Sequence, residues 1–201
     1  MELINKGVAD KALELNKKFI FGKPYKHILI KDFLQEDKAK EIFGALKKEK
    51  FDHKESDLFS LNQTEDLKFS QNEVLKKFYK FFSSKEFGEW IMVISGIKLK
   101  IGEIDMAGSL YDSCDYLLCH DDRLENRKIA FVYYLNKSFN EKDGGSFVMF
   151  DSEKGKPWRV SEKYLPLWNS LLIFEVSDKS FHEVEENYSD KKRYAVGGWF
   201  H

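Results

Sequence analysis

The sequence predicts an α+β fold in which N-terminal helices pack on the sheet of a double-stranded β-helix, or jelly roll. Apolar residues recur at helical spacing through the first half of the chain, but from Ile97 they alternate with polar residues as in half-buried strands. Short strand patterns separated by turn residues then continue to the C-terminus. We expect a single domain, with a mainly helical part over residues 1–96 and a jelly-roll core over residues 97–201.

The helical part is predicted from amphipathic patterns. Residues 1–20 place apolar side chains on one helical face, and a short strand over residues 27–30 follows. Asp32 can cap the turn into a helix that reaches Leu46. Residues 52–66 are polar and irregular, which predicts a loop, and two further helical patterns lie between residues 74 and 94.

The second half is predicted to be short antiparallel strands. In residues 129–135, for example, every second side chain is a large apolar one. Residues 152–167 hold two of the 3 prolines and several charges, and we expect a surface excursion there. Many short strands after a helical start favour a double-sheet jelly roll, the architecture that cupins share. The other predicted strands cover residues 97–101, 110–119, 146–150, 171–176 and 193–200.

The composition excludes some classes of protein. Lys and Arg number 33 against 34 Asp and Glu, so no general basic field marks a nucleic-acid-binding protein. No apolar run approaches the length of a membrane span, and we expect no membrane partner. The 2 cysteines, Cys114 and Cys119, form no disulfide framework and favour a reducing compartment. We expect a cytoplasmic protein, or a nuclear one in a eukaryote.

A candidate metal site begins with His120 and Asp122, which follow an apolar run. Alone, this pair is more often a polar turn that closes a strand. A second histidine, His182, stands in a later strand pattern. Two histidines and one carboxylate form the facial set of non-haem Fe(II) oxygenases, which leaves positions open for a co-substrate and O₂. The three residues together predict an Fe(II) site.

A candidate anion site is predicted around Arg193, which opens the last strand and shares a strand face with Ala195 and Gly197. A buried arginine needs an anionic partner, and the two small residues leave room for one. The alternative is a surface cluster with the preceding lysines. Tyr134 could hydrogen-bond the same anion, although a tyrosine in a strand is more often a core residue. A dicarboxylate such as 2-oxoglutarate suits this position.

Several segments also carry a resemblance to a known family. These segments are residues 117–122, 127–131, 143–145, 168–169, 174–177, 180–182 and 198–201. Over residues 110–201 the chain closely resembles the catalytic domain of the ribosomal prolyl hydroxylases, 2-oxoglutarate oxygenases that hydroxylate a proline of a small-subunit ribosomal protein near the decoding centre. Residues 31–34, 57–59 and 87–91 fit the helical start of that family more loosely.

The resemblance implies roles for individual residues. His120, Asp122 and His182 would be the iron ligands, and Arg193 with Tyr134 would bind the distal carboxylate of 2-oxoglutarate. Tyr111 would be a further contact in that pocket. It also implies Fe(II), 2-oxoglutarate and O₂ as requirements, ascorbate as reductant, and a ribosomal protein proline as the substrate.

Two alternatives stay open from the sequence. The same chemistry could act on another protein, a nucleic acid or a small molecule, although the near-neutral charge disfavours direct binding of nucleic acid. The chain could also be a cupin-like metal-binding module without turnover. Members of the resembled family carry a second, inactive jelly-roll domain after the stretch that ends at His201, so the sequence is either a single-domain relative or a piece that ends at a domain boundary.

Overall fold

Five helices lie in the first half of the part of the chain that the computed structural model describes, residues 1–124 and 126–201. Side-chain caps mark the start of three of them. Asn5 accepts a hydrogen bond from the backbone of Gly7, Asn72 accepts one from Val74, and Ser84 accepts one from Phe87. None of the described helices is long and apolar enough to cross a membrane. The helices are α1 (Lys6–Ala9), α2 (Ala12–Ile20), α3 (Glu36–Leu46), α4 (Glu73–Phe82) and α5 (Lys85–Ser95), with short 3₁₀ turns at Leu67–Phe69 and Glu141–Asp143.

Eleven strands in the described residues form one curled antiparallel sheet. Its order is β1-β9-β6-β11-β4-β3-β5-β10-β7-β8, and β2 pairs with β3 outside this path. The strands are β1 (His27–Ile30), β2 (Asp52–Ser56), β3 (Phe59–Asp66), β4 (Ile104–Tyr111), β5 (Tyr116–His120), β6 (Ile129–Tyr134), β7 (Phe147–Glu153), β8 (Lys156–Tyr164), β9 (Ser170–Glu175), β10 (His182–Val184) and β11 (Arg193–Phe200).

The two ends of this strand order, β1 and β8, are joined by side chains. His27 Nε2 lies 2.6 Å from the hydroxyl of Tyr164, and His27 Nδ1 lies 2.8 Å from the carbonyl of Tyr25. A carbonyl only accepts, so Nδ1 carries the proton and Nε2 accepts the hydrogen bond from Tyr164. The contact brings the two outermost strands together and encloses the space inside the curled sheet.

The core is divided between the two faces of the sheet. On β6, Phe131 and Tyr133 pack with the helices, whereas Ala130 and Tyr134 pack inside the curl. The helix-facing cluster is rich in rings: Phe82, for example, has its ring centroid 4.9 Å from that of Phe131. The prediction of an α+β fold with N-terminal helices packed on the sheet is confirmed.

Two local predictions are wrong. Residues 52–66 are not a loop but contain β2 and β3; every residue of β2 is exposed, so it has no apolar alternation to reveal a strand that is held by backbone pairing. Residues 97–101 are not a strand: α5 ends at Gly96 in the left-handed region, and a turn at Gly102 precedes the start of β4. Residues 152–167 lie at the surface as predicted, and most of them belong to the exposed β7–β8 hairpin.

The boundary at residue 97 stays a prediction. Strands β1, β2 and β3 lie before it and pair with strands that lie after it or with one another. The N-terminal residues therefore contribute to the sheet as well as to the helical layer.

Candidate metal centre and anion pocket

Three side chains with metal-binding atoms meet at one end of the curled sheet. His120 is the last residue of β5, Asp122 lies two residues beyond it, and His182 is the first residue of β10. Strands β5 and β10 are antiparallel partners, and His120 lies opposite His182 in their register. The pairing of two strands distant in sequence therefore brings the two imidazoles side by side, with ring centroids 4.3 Å apart.

The ligand atoms of these residues converge. One carboxylate oxygen of Asp122, Oδ1, lies 3.6 Å from His120 Nε2, and the other, Oδ2, lies 3.4 Å from His182 Nε2. One possible ligand atom from each residue lies within 4.8 Å of the other two. Such a cluster can hold one metal ion.

Backbone carbonyls fix the orientation of both imidazoles. His120 Nδ1 lies 2.8 Å from the carbonyl oxygen of Leu118, and His182 Nδ1 lies 2.8 Å from that of Ser180. Because a carbonyl can only accept, each Nδ1 carries the hydrogen and each Nε2 keeps a free lone pair. In both cases the accepting carbonyl belongs to the residue two positions before the histidine. Both Nε2 atoms are therefore free to bind a metal ion.

Burial and charge set the protonation states. Burial raises the pKa of Asp122, but its contact with His120 and the charges of both histidines lower it to about 2 overall. Burial lowers the pKa of His182 to about 4, although the Asp122 carboxylate acts in the opposite direction. Burial also lowers the pKa of His120, but the contact with Asp122 outweighs it and the net shift is upward. At neutral pH the Asp122 carboxylate is ionised and His182 is neutral, as metal binding requires.

This donor set fits Fe(II). Two imidazoles and one carboxylate suit non-haem iron and leave coordination positions for other ligands. Aromatic rings hold His182 from two sides: the ring of Phe147 is stacked on it at 5.0 Å, and the ring of Phe174 meets it edge-on at 4.8 Å. These apolar neighbours keep water away from the inner side of the cluster.

A buried guanidinium lies in the same cavity. Arg193 is 1% exposed, and its Nε donates a hydrogen bond of 2.7 Å to the carbonyl of Gly145. Its Nη2 is buried and has no hydrogen-bond partner, and no carboxylate forms a salt bridge with it within the described ranges 1–124 and 126–201. A buried, unpaired cation is costly, so the arrangement fits a bound anion.

Two tyrosines flank this guanidinium. Its central carbon lies 4.7 Å from the ring centroid of Tyr111 and 5.4 Å from that of Tyr134. The buried hydroxyl of Tyr134 has no hydrogen-bond partner in the described residues. Burial raises the pKa of Tyr111 to about 12 against the effect of Arg193, and burial likewise raises that of Tyr134, so both hydroxyls remain neutral donors. Arg193 and Tyr134 thus each offer a hydrogen-bond donor that no described group uses. We refer to the site formed by these two side chains as the anion pocket.

One cavity connects the metal cluster with the anion pocket. Its volume is about 390 Å³, and His120, Asp122, His182 and Arg193 all line it. Tyr111 also lines the cavity, whereas Tyr134 does not. Five of the six residues that the sequence predicted for the site therefore line this cavity, and the ring of the sixth, Tyr134, lies next to Arg193.

Two further residues of the cavity were missed from the sequence. The guanidinium of Arg127 lies 3.4 Å from the ring centroid of Trp199, and both residues line the cavity. The indole N–H of Trp199 lies close enough to Asp122 to lower the pKa of that carboxyl, but it does not reach hydrogen-bond geometry with it. Arg127 Nε likewise has no hydrogen-bond partner among the described residues. Strand alternation could have found Trp199, since it shares the inward face of β11 with Arg193.

Comparisons with known proteins agree with this geometry. Residues 106–201 match the family model described as the 2OG-Fe(II) oxygenase superfamily. The computed structure is also similar to the crystal structure of a Pseudomonas putida prolyl-4-hydroxylase, with a TM-score of 0.74 and 19% identity over 92% of this chain and 97% of that chain. This likeness confirms the predicted jelly-roll fold.

The chain is also similar to curated proteins that are named as prolyl hydroxylases. The chain is 37% identical over 181 residues to "Prolyl 3-hydroxylase OGFOD1" of Xenopus laevis, a match that covers 89% of this chain and 35% of that protein. It is 31% identical over 195 residues to "Prolyl 3,4-dihydroxylase OGFOD1" of Ostreococcus tauri, covering 89% of this chain and 38% of that protein. The chain therefore spans little more than a third of the length of these relatives. The resemblance to prolyl hydroxylases is confirmed.

Proposed function

We propose that this chain is an Fe(II)- and 2-oxoglutarate-dependent dioxygenase that hydroxylates a prolyl residue of a protein. The observation that carries the proposal is the buried guanidinium of Arg193, with an unpartnered nitrogen, in the same cavity as the His120, Asp122 and His182 cluster. A metal-binding module without turnover has no need of a buried cation beside its metal. A dicarboxylate co-substrate gives that cation a partner.

The residues of the chain would divide the work as follows. His120, Asp122 and His182 would hold the iron, and Arg193 with Tyr134 would bind the distal carboxylate of 2-oxoglutarate. Bound iron and 2-oxoglutarate supply the activation of O₂ and the oxidising chemistry. The protein supplies orientation, through the carbonyls that fix both imidazoles, and exclusion of water, through Phe147 and Phe174.

The substrate would be bound from the side of Arg127 and Trp199. Each has a buried N–H group without a partner in the described part of the chain, and both line the cavity that reaches Asp122. Peptide carbonyl groups around a proline are hydrogen-bond acceptors, and a proline ring can lie against an indole ring. These two side chains are therefore suited to receive a prolyl segment.

We propose further that the target proline belongs to a small-subunit ribosomal protein. This proposal is supported by the family resemblance of the sequence motifs and by relatives named prolyl 3-hydroxylases. The proposal leaves open which ring carbon is hydroxylated, since a relative named prolyl 3,4-dihydroxylase is also similar.

The proposal is tested by turnover. The protein is supplied with Fe(II), ascorbate, 2-oxoglutarate and O₂, with and without ribosomes of its host, and succinate is measured. We expect succinate that depends on Fe(II) and O₂, and a ribosomal peptide heavier by one oxygen atom on a proline by mass spectrometry. Binding of metal without affinity for 2-oxoglutarate would instead support a non-catalytic module. Succinate formation without a modified ribosomal peptide would reject only the ribosomal substrate.

A further inference from the structure

The segment between β10 and β11 connects the metal cluster to the anion pocket, because His182 precedes it and Arg193 follows it. Asn187 lies within this segment and is fully buried, with 0% exposure. The reaction proposed above gives this residue no chemical role. Its side-chain amide nevertheless bonds to the backbone of Tyr111, which lies opposite Arg193, and of Lys191, which lies two residues before Arg193.

The side chain of Asn187 joins two strand ends. Its Nδ2 donates to the carbonyl of Tyr111 at 3.1 Å and to that of Lys191 at 2.7 Å, while its Oδ1 accepts from the backbone of Ser189 at 3.2 Å. Tyr111 is the last residue of β4 and lies opposite Arg193 in the pairing with β11. The amide therefore continues the link between these strands beyond their last residue pair.

The backbone around Asn187 holds the other side of the guanidinium. The carbonyl of Glu186 accepts a hydrogen bond of 3.0 Å from the backbone N–H of Gly145, whose own carbonyl accepts from Arg193 Nε. A Cβ atom on Gly144 would lie 2.1 Å from the carbonyl oxygen of Glu186, so the turn and the segment pack without spare space. A shift of Asn187 would therefore move both groups that hold Arg193, the end of β4 at Tyr111 and the carbonyl of Gly145.

We propose that Asn187 is a positioning residue for the anion pocket. By joining the carbonyls of Tyr111 and Lys191, it fixes the guanidinium of Arg193 over the Tyr111 ring and so sets the affinity for the distal carboxylate of the co-substrate. The two histidines are oriented by other groups, the carbonyls of Leu118 and Ser180, so the metal ligands should keep their positions when Asn187 is changed. The inference rests on the proposed use of 2-oxoglutarate.

The test compares Asn187→Ala with a matched variant, Asn169→Gly. Asn169 is also buried and makes comparable bonds, to both backbone groups of Leu34 and to the Tyr133 hydroxyl, but on the helix-facing side. Glycine is chosen because Asn169 has a positive φ of 51°. Both variants should lower the melting temperature. If the alanine variant does not fold, Asn187→Ser, which keeps one donor, takes its place.

We expect Asn187→Ala to raise the KM for 2-oxoglutarate about 10-fold while kcat changes less than about twofold, because a small displacement of a binding group weakens binding strongly. Fe(II) affinity should stay unchanged, as should inhibition by 2-oxopentanoate, an oxo acid without a distal carboxylate. Asn169→Gly should leave the KM at the wild-type value. An unchanged KM in Asn187→Ala, or equal losses for iron, 2-oxopentanoate and 2-oxoglutarate, would overturn the inference. Absence of 2-oxoglutarate turnover in the wild type would instead reject the proposed function.

Discussion

Tyr133 and Tyr134 are neighbours on β6, and both are 0% exposed. Tyr133 points to the helices, and its hydroxyl donates to Asn169 Oδ1 at 2.9 Å. Tyr134 points into the curl of the sheet, and its hydroxyl has no partner in the described residues. A fold would satisfy both hydroxyls if stability alone determined their surroundings.

The same difference, between paired and unpaired buried polar groups, distinguishes the two faces of the whole sheet. On the helix-facing side, buried polar groups are paired, as in the bond from the Trp90 indole to the carbonyl of Ala9. The buried side-chain atoms without partners in the described part of the chain belong to Arg127, Tyr134, Arg193 and Trp199, all in or beside the cavity. The helix-facing side provides stability, whereas the inner side keeps hydrogen-bonding capacity free for ligands.

The largest effect should come from the metal cluster. Asp122→Ala removes the only carboxylate of the cluster, so we expect turnover to fall to the level of the metal-free protein while the circular dichroism spectrum remains that of a folded chain. Asp121→Ala is the control, since this neighbouring carboxylate pairs with Arg123. Full turnover in Asp122→Ala would remove this residue from iron binding.

A smaller effect is expected at the anion pocket. Arg193→Ala should raise the KM for 2-oxoglutarate about 10- to 100-fold, because hydrogen bonds to a charged group contribute about 1.5–3 kcal/mol. Lys192→Ala serves as the control: its side chain is exposed and lies 3.5 Å from Asp112. If 2-oxoglutarate dependence stays the same in Arg193→Ala, the guanidinium does not bind the co-substrate.

The smallest effects should separate the two tyrosines. Tyr134→Phe should weaken 2-oxoglutarate binding several-fold without loss of stability, because it deletes a hydroxyl that is unpaired in the free protein. Tyr133→Phe should lower the free energy of unfolding by about 1 kcal/mol and leave 2-oxoglutarate binding unchanged, because it deletes a satisfied bond. Denaturant titrations and KM measurements on both variants test this; the reverse pattern would show that the two sides of the sheet do not differ in this way.

Alternation made the inner side of the sheet predictable. The pattern of residues 129–135 separates Phe131 and Tyr133 from Tyr134, and the structure places them on opposite faces. The same rule places Arg193 on the inward face of β11. The sequence could not show which buried hydroxyls lack partners, because a partner such as Asn169 comes from a distant part of the chain.

Other features were not predictable for physical reasons. Strand β2 is exposed on both faces, so its side chains carry no apolar pattern, and its backbone pairing with β3 is not visible in the sequence. Asn187 resembles any polar loop residue until the two carbonyls that it joins are known. Side-chain chemistry was therefore easier to predict than the backbone contacts that support it.

The two-residue repeat of β11 has a consequence for engineering this protein. Arg193 and Trp199 share one face of this strand, while Val196 and Phe200 fill the helical core from the other. Inserting or deleting a single residue within it would exchange the faces on one side of the change, so that either the guanidinium or the indole would enter the core and apolar side chains would enter the cavity. Libraries that vary this strand should therefore substitute residues and keep its length constant.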